Sequence, residues 1–199
     1  MNTRLRGTLC GIGAAVCYGT NPLGAINLYN DGISASATLF YRFALACLTL
    51  GIMMAVQRKS FAVTRRELGI LALLGVFMST SSTTLYFSFL FMDVGVASTL
   101  LFVYPVMVAV IMATMFKEKV TKTTILAITL ALAGIALLNR SGDGTALSLW
   151  GVTLVMLSSL TYAVYIVVVN KSPLRMSSVK LTFYVLFFGM FTILGYTLV

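Results

Sequence analysis

The chain has 199 residues, of which 59% are hydrophobic and only 10% charged, with a mean hydropathy of +1.00 and a formal net charge of +9. That composition excludes a soluble globular domain and points to an integral membrane protein. It also excludes nucleic acid as the reason for the high pI, because no basic folded domain is left to carry the charge once the apolar segments are set aside.

Seven stretches are long enough to cross roughly 30 Å of hydrocarbon, which takes about 20 helical residues. They run 7–28, 33–56, 68–90, 94–116, 122–139, 149–169 and 179–199. Open strands would leave amides unpaired in lipid, so an all-α integral membrane bundle of seven transmembrane helices is predicted. The first stretch follows Arg4 and Arg6 but is too long for a signal peptide and lacks a small-x-small cleavage site, so it is read as a retained span. It contains Tyr18-Gly19-Thr20-Asn21-Pro22. Pro22 lacks an amide hydrogen, which frees the Tyr18 carbonyl and favours a kink, and Asn21 falls about 10 Å from the outer end.

The second span carries Arg42, the only charge deep within any of the seven. It lies eight residues beyond Ser34, or about 12 Å at 1.5 Å per residue. A guanidinium there costs several kcal/mol unless it finds a partner, a water-filled cavity or a substrate anion. It is expected either to tie helices together or to meet a solute. The third span contains a hydroxyl run from Ser79 to Thr84, then Tyr86 and Ser88, with Ser79, Ser82 and Tyr86 on one face. Such hydroxyls either bond back to their own helix or line a cavity. In the fourth span Tyr104-Pro105 frees the Leu101 carbonyl about 15 Å from the outer end. Pro22 and Pro105 are therefore candidate hinges for gating.

Small residues that allow close helix contact are Gly7 and Gly11 in the first span and Ala127, Ala131 and Gly134 in the fifth, and a homodimer is one use of such faces. Trp150, Tyr29 and Tyr196 sit near span ends, as interfacial aromatics do. Cys10, Cys17 and Cys47 all fall inside spans and are read as small packing residues rather than a disulfide or metal site.

The remaining basic residues set the threading. Arg4 and Arg6, then Arg58, Lys59, Arg65 and Arg66, then Lys117, Lys119 and Lys122, then Lys171, Arg175 and Lys180 occupy alternate gaps. The other gaps hold Asp31, Asp93, Asp143 and a single Arg140. By the positive-inside rule the N-terminus is cytoplasmic, in an inner or plasma membrane, and the basic side has some attraction for anionic headgroups of the lipid bilayer.

A shift of 144 residues brings Gly7 onto Gly151, Tyr18 onto Tyr162, Ser34 onto Ser178, Thr38 onto Thr182 and Leu50-Gly51 onto Leu194-Gly195. A five-span unit is odd in number, so its second copy enters the membrane inverted, the arrangement of many secondary transporters with a midplane site. On this reading residues 1–140 form the first repeat and 141–199 the first two helices of a second, incomplete one. The simplest expectation is then a truncated chain.

The sequence has no His and no carboxylate well inside a span, and no phosphate-binding loop. Proton relays, metal sites and recognisable enzyme chemistry therefore have no residues to work with, and no cofactor is expected.

Tyr18-Gly19-Thr20-Asn21-Pro22, Tyr41-Arg42-Phe43, Ala97-Ser98, Tyr104-Pro105-Val106, Glu118 between two lysines, Gly134, Trp150-Gly151 and Ser158-Ser159-Leu160-Thr161-Tyr162-Ala163 together resemble the EamA-type branch of the drug/metabolite transporter superfamily. The resemblance implies ten helices in two inverted five-helix repeats around a central cavity, with alternating-access movement of small metabolites such as amino acids, often outward. It makes Tyr18, Asn21, Tyr104 and Tyr162 cavity candidates beside Arg42, Ser82 and Tyr86, and makes Glu118 a structural turn. Small multidrug exporters of the same superfamily use a first-helix Glu, which this chain lacks. An anionic or zwitterionic small-molecule solute suits Arg42 better. The alternative, from a different class, is a non-transporting scaffold or degenerate fragment that needs a partner.

Overall fold

The computed structural model describes residues 3–118, 124–126, 128–130, 133 and 148–197. Seven helices are defined there: α1 Thr3–Asn30, α2 Ala35–Val56, α3 Arg65–Ser88, α4 Val94–Leu101, α5 Tyr104–Met115, α6 Leu149–Lys171 and α7 Ser178–Thr197. Six spans are long and apolar enough to cross a membrane among the described residues, with α4 and α5 counting as one over Val94–Met115. Of the predicted fifth span, 122–139, only 124–126, 128–130 and 133 are described, all helical; the rest, with Gly134, lies outside the described residues.

Local chemistry explains where the helices start and stop. Ser34, Thr64, Asp93 and Ser148 each cap the following helix, and Thr64 with Glu67 forms a reciprocal capping box. At the end of α1, Gly32 has φ +82, donates to the Tyr29 carbonyl at 3.0 Å, and is followed by Ile33 donating to the Leu28 carbonyl. This is a Schellman close, which needs a residue that tolerates the left-handed conformation.

α3 is the central helix, packed chiefly on α6 and α7, and α7 is wedged between α2 and α3. Glycine permits this approach. A Cβ on Gly75 of α3 would stand 2.6 Å from Phe188 Cβ and 3.0 Å from the Gly189 backbone nitrogen. A Cβ on Gly189 of α7 would stand 2.8 Å from the Phe43 ring of α2. Without water-driven attraction between helices in lipid, such close contact and interhelical hydrogen bonds are what hold a bundle. Leu39 and Phe43 of α2, Tyr86 of α3, Ala97 and Leu101 of α4, Val155 of α6 and Ile193 of α7 fill the main core. Lys180 donates to the Ala62 carbonyl and Tyr184 to the Phe61 carbonyl, so the start of α7 also holds the α2–α3 loop.

The structure bears on three expectations. Gly7 and Gly11 make no close contact among the described residues, because α1 lies at the edge and touches α2 and α4 only lightly. Tyr29, near the end of α1, donates its hydroxyl to the Tyr86 carbonyl at 3.2 Å and packs its ring edge-on against Tyr86. α1 runs through Pro22 as one helix, whereas the chain does break ahead of Pro105, at Phe102 and Val103.

Candidate functional site

Two clefts lie along α1. The first, about 560 Å³, is lined by Gly24, Ala25 and Leu28 of α1, Ile33 of the turn, Thr38, Tyr41, Arg42 and Leu45 of α2, and Tyr86 of α3. The Schellman close that ends α1 thus also sets two walls, Leu28 and Ile33. Arg42 Nη1 donates to the Tyr86 hydroxyl at 2.7 Å, and its guanidinium carbon stands 5.8 Å from the centroid of the same ring. Tyr86 is 2% exposed and is fixed from its other side by Tyr29 and Phe89. A rigid, buried phenol therefore holds an arginine partway along α2 with part of its five-donor fork spent on one acceptor. The remainder of the cleft lining is largely apolar.

The second cleft, about 380 Å³, is lined by Ala14, Ala15, Tyr18 and Gly19 of α1, Leu101 and Phe102 at the end of α4, Tyr104 of α5 and Tyr162 of α6. Tyr104 and Tyr162 pack edge to face at 4.8 Å, and Tyr162 stacks on Tyr165 at 5.7 Å. Tyr18 lines this cleft and lies within electrostatic reach of Arg42 and Tyr86, which line the first. Aromatic walls of this kind offer large rigid contact area with a polar tip, and their faces attract cations.

The break between α4 and α5 places Tyr104. Pro105 cannot donate to Leu101, and the chain crosses the gap with short bonds from Val103 to the Leu100 carbonyl at 3.1 Å and from Val106 to the Val103 carbonyl at 3.0 Å. The freed Leu101 carbonyl accepts from Ser159 Oγ of α6 at 3.2 Å. Its neighbour Ser158 faces α3, where Ser158 Oγ donates to the Ser81 carbonyl at 2.7 Å and Ser81 Oγ to the Ser158 carbonyl at 2.9 Å.

The structure therefore brings together Tyr18, Arg42, Tyr86, Tyr104 and Tyr162 of the residues expected from sequence. Asn21 lies on α1, and its side chain falls outside the described residues. Ser82 is half-buried and lines neither of these two clefts. The hydroxyl run behaves mostly as packing: Ser79 bonds back to the Val76 carbonyl, Thr84 to Thr80 and Ser88 to Leu85. Pro105 is beside the second cleft; Pro22 lines neither. Glu118 lies apart and accepts from Lys171 Nζ at 2.6 Å, with Lys171 also 4.7 Å from the Phe116 ring, so it pins the end of α5 to the end of α6. Ser81, Ser158 and Ser159 were not picked out as a bonded set. Their signal was present only as Ser159 standing one turn before Tyr162, on the same face.

Six apolar spans packed through glycine and serine, with an arginine and tyrosine surface between them, define a multi-pass membrane protein. The chain belongs to the EamA-like transporter family, which matches residues 5–140, and it is therefore a membrane transporter. No curated protein and no solved structure matches the chain.

Proposed function

We propose that the two clefts together form the solute path, and that the solute is a small organic molecule carrying an anionic group, alone or as a zwitterion, moved outward by alternating access. Arg42 and four tyrosines arriving from five different helices carry this reading, since no single packing contact requires that convergence. Arg42 supplies the unspent donors for a carboxylate or phosphate-like group. Tyr18, Tyr104 and Tyr162 supply an aromatic wall for the body of the solute, and the π-faces offer an ammonium its only counterpart among the lining residues.

The proposal extends to the architecture. Residues 1–140 form one five-helix unit, so that the whole chain has seven spans, and 141–199 begin an inverted copy. Tyr18 and Tyr162, related by the 144-residue shift, line the same cleft. Thr38 Oγ1 donates to the Ser34 carbonyl at 3.0 Å, and Thr182 Oγ1 donates to the Ser178 carbonyl at 2.9 Å, the same bond at the shifted positions. After the shift, α2 and α7 start within one residue of each other. The membrane is an inner or plasma membrane with the N-terminus in the cytoplasm.

The test is a counterflow screen of amino acids and organic acids in proteoliposomes, native protein against Arg42→Gln. The expected result is exchange of at least one anionic or zwitterionic solute, reduced about tenfold or more in the variant, the loss of one charge-assisted hydrogen bond. Exchange confined to neutral or cationic solutes, or unaffected by Arg42→Gln, overturns the solute class. A monodisperse protein that exchanges nothing favours a scaffold.

A further inference from the structure

We infer that Ser159 is a positioning residue for the tyrosine cleft: by donating to the Leu101 carbonyl it stands in for the amide hydrogen that Pro105 lacks, and so holds the α4–α5 break at the geometry that presents Phe102 and Tyr104. The inference rests on the reading of that cleft as the solute path only for its functional meaning; the geometry it describes stands apart from any solute.

The problem Ser159 solves is a backbone one. In a membrane interior a helix satisfies its own carbonyls, and a proline deprives the carbonyl four residues earlier of its partner. Leu101 is 5% exposed, so water has little access to that oxygen, and a buried acceptor left unpaired is costly. Ser159 is fully buried, and its hydroxyl lies 3.2 Å from the oxygen. Tyr162, one turn further along α6, meets Tyr104 edge to face at 4.8 Å. Two contacts one turn apart on α6 thus grip the two sides of the break, Leu101 ahead of it and Tyr104 after it.

The other side of α6 is also fixed. Ser158, adjacent to Ser159, exchanges two hydrogen bonds with Ser81 of α3, in both cases within buried surroundings. The serine pair therefore refers the break to α3, the helix on which most of the bundle is packed. Ser159 acts on the cleft through the Leu101 carbonyl and touches no solute itself.

This account makes Ser159 and Pro105 interdependent. Pro105→Ala restores an amide hydrogen that can reach Leu101 if α4 and α5 join, and the Ser159 hydroxyl is then redundant. The experiment uses the full chain in proteoliposomes with Cys10 and Cys17, both exposed, replaced by Ser, and Phe102→Cys as reporter. Phe102 is half exposed and lines the cleft, so the labelling rate by a membrane-impermeant methanethiosulfonate reads the break without any solute.

Ser159→Ala is expected to change that rate about threefold or more, the equilibrium shift of one interhelical hydrogen bond in a membrane, and to change it little when Pro105→Ala is also present. An unchanged rate in Ser159→Ala, or the same change in both backgrounds, overturns the inference. If Ser159→Ala does not yield a monodisperse protein, recovery of monodispersity by adding Pro105→Ala supports it and failure to recover overturns it. Coupled labelling together with no solute exchange would sink the transport reading and leave the role of Ser159 standing.

Discussion

Arg42 is held by one hydroxyl, and that pairing decides what its replacement should do. Tyr86→Phe removes the acceptor at 2.7 Å but leaves the ring that Phe89 and Tyr29 fix, so the guanidinium loses a restraint and keeps its charge. Loss of a hydrogen bond to a charged group costs about 1.5–3 kcal/mol, which predicts a solute KM raised roughly tenfold or more with the fold intact. Arg42→Lys keeps the charge but loses the planar fork, and a bidentate partner should feel that loss almost as strongly as Arg42→Gln. KM measured on the solute found by counterflow checks both; equal KM values for native protein and Tyr86→Phe would remove Tyr86 from the site. Arg42 was legible in the sequence because a charge in a span has few explanations. Tyr86 as its partner was less so, since its hydroxyl pointing toward α2 depends on the rotation of α3, which apolar periodicity does not set when all faces are apolar. Ser82 lines neither of the two clefts, and sharing a helical face with Tyr86 in sequence was too coarse to say which neighbour that face meets.

Helix pairs in this bundle are joined either by glycine or by serine, and the two should respond differently to alanine. Gly75→Ala places a methyl 2.6 Å from Phe188 Cβ and 3.0 Å from two α7 backbone atoms, so a whole helix must move. Gly189→Ala places its methyl 2.8 Å from the Phe43 ring but no closer than 3.4 Å to α3 backbone, so a side chain rather than a helix must give way. An overpacking cost of about 1–3 kcal/mol is expected for Gly75→Ala and a smaller one for Gly189→Ala, read as apparent Tm in detergent, with Gly69→Ala, which meets nothing within 4 Å, as the control. The serine joint is reciprocal. In Ser158→Ala the Ser81 hydroxyl still donates to the residue 158 carbonyl, and in Ser81→Ala the converse holds. Each single change should cost about 0.6–1.7 kcal/mol, and because the two hydroxyls also stand 3.1 Å apart, the double change should differ from their sum by about 0.5 kcal/mol or more. A double variant no less stable than either single one would mean the two hydroxyls act as one unit. Helix limits were legible from caps and hydropathy to within a few residues. The break at Pro105 was legible from the missing amide. The partner of the freed carbonyl was not, because it comes from another helix and Ser159 in sequence looks like any small residue in a span.

The molecule as a whole is organised around α3, with α6 and α7 packed against it and α7 lying between α2 and α3. Residues on either side of the proposed repeat boundary are therefore interleaved rather than stacked as separate bodies, and neither charge nor hydropathy foretold this; it follows from Gly75 and Gly189, two unremarked glycines that let backbones meet. Charge pattern spoke instead to threading, which the proposed inverted repeat requires. In α1 and α2, joined by the tight turn at Asp31 and Gly32, Asp31 lies at one end of the pair and Arg58 at the other. Arg66 lies in the first turn of α3, after the loop that carries Arg58, and Lys180 of α7 is bonded to that loop, so basic residues from three segments collect at one end of the bundle. Each basic residue near an anionic surface contributes about 1 kcal/mol, and the proposed orientation puts this end in the cytoplasm. Single cysteines at Asp31 and Arg66, both exposed, in a background with Cys10 and Cys17 replaced, are expected to label from opposite sides of sealed inside-out and right-side-out vesicles, with Arg66→Cys reached from the cytoplasmic side. If both cysteines label from the same side, α2 does not cross the membrane, Arg42 is not at mid-depth, and an odd-numbered repeat cannot invert its copy.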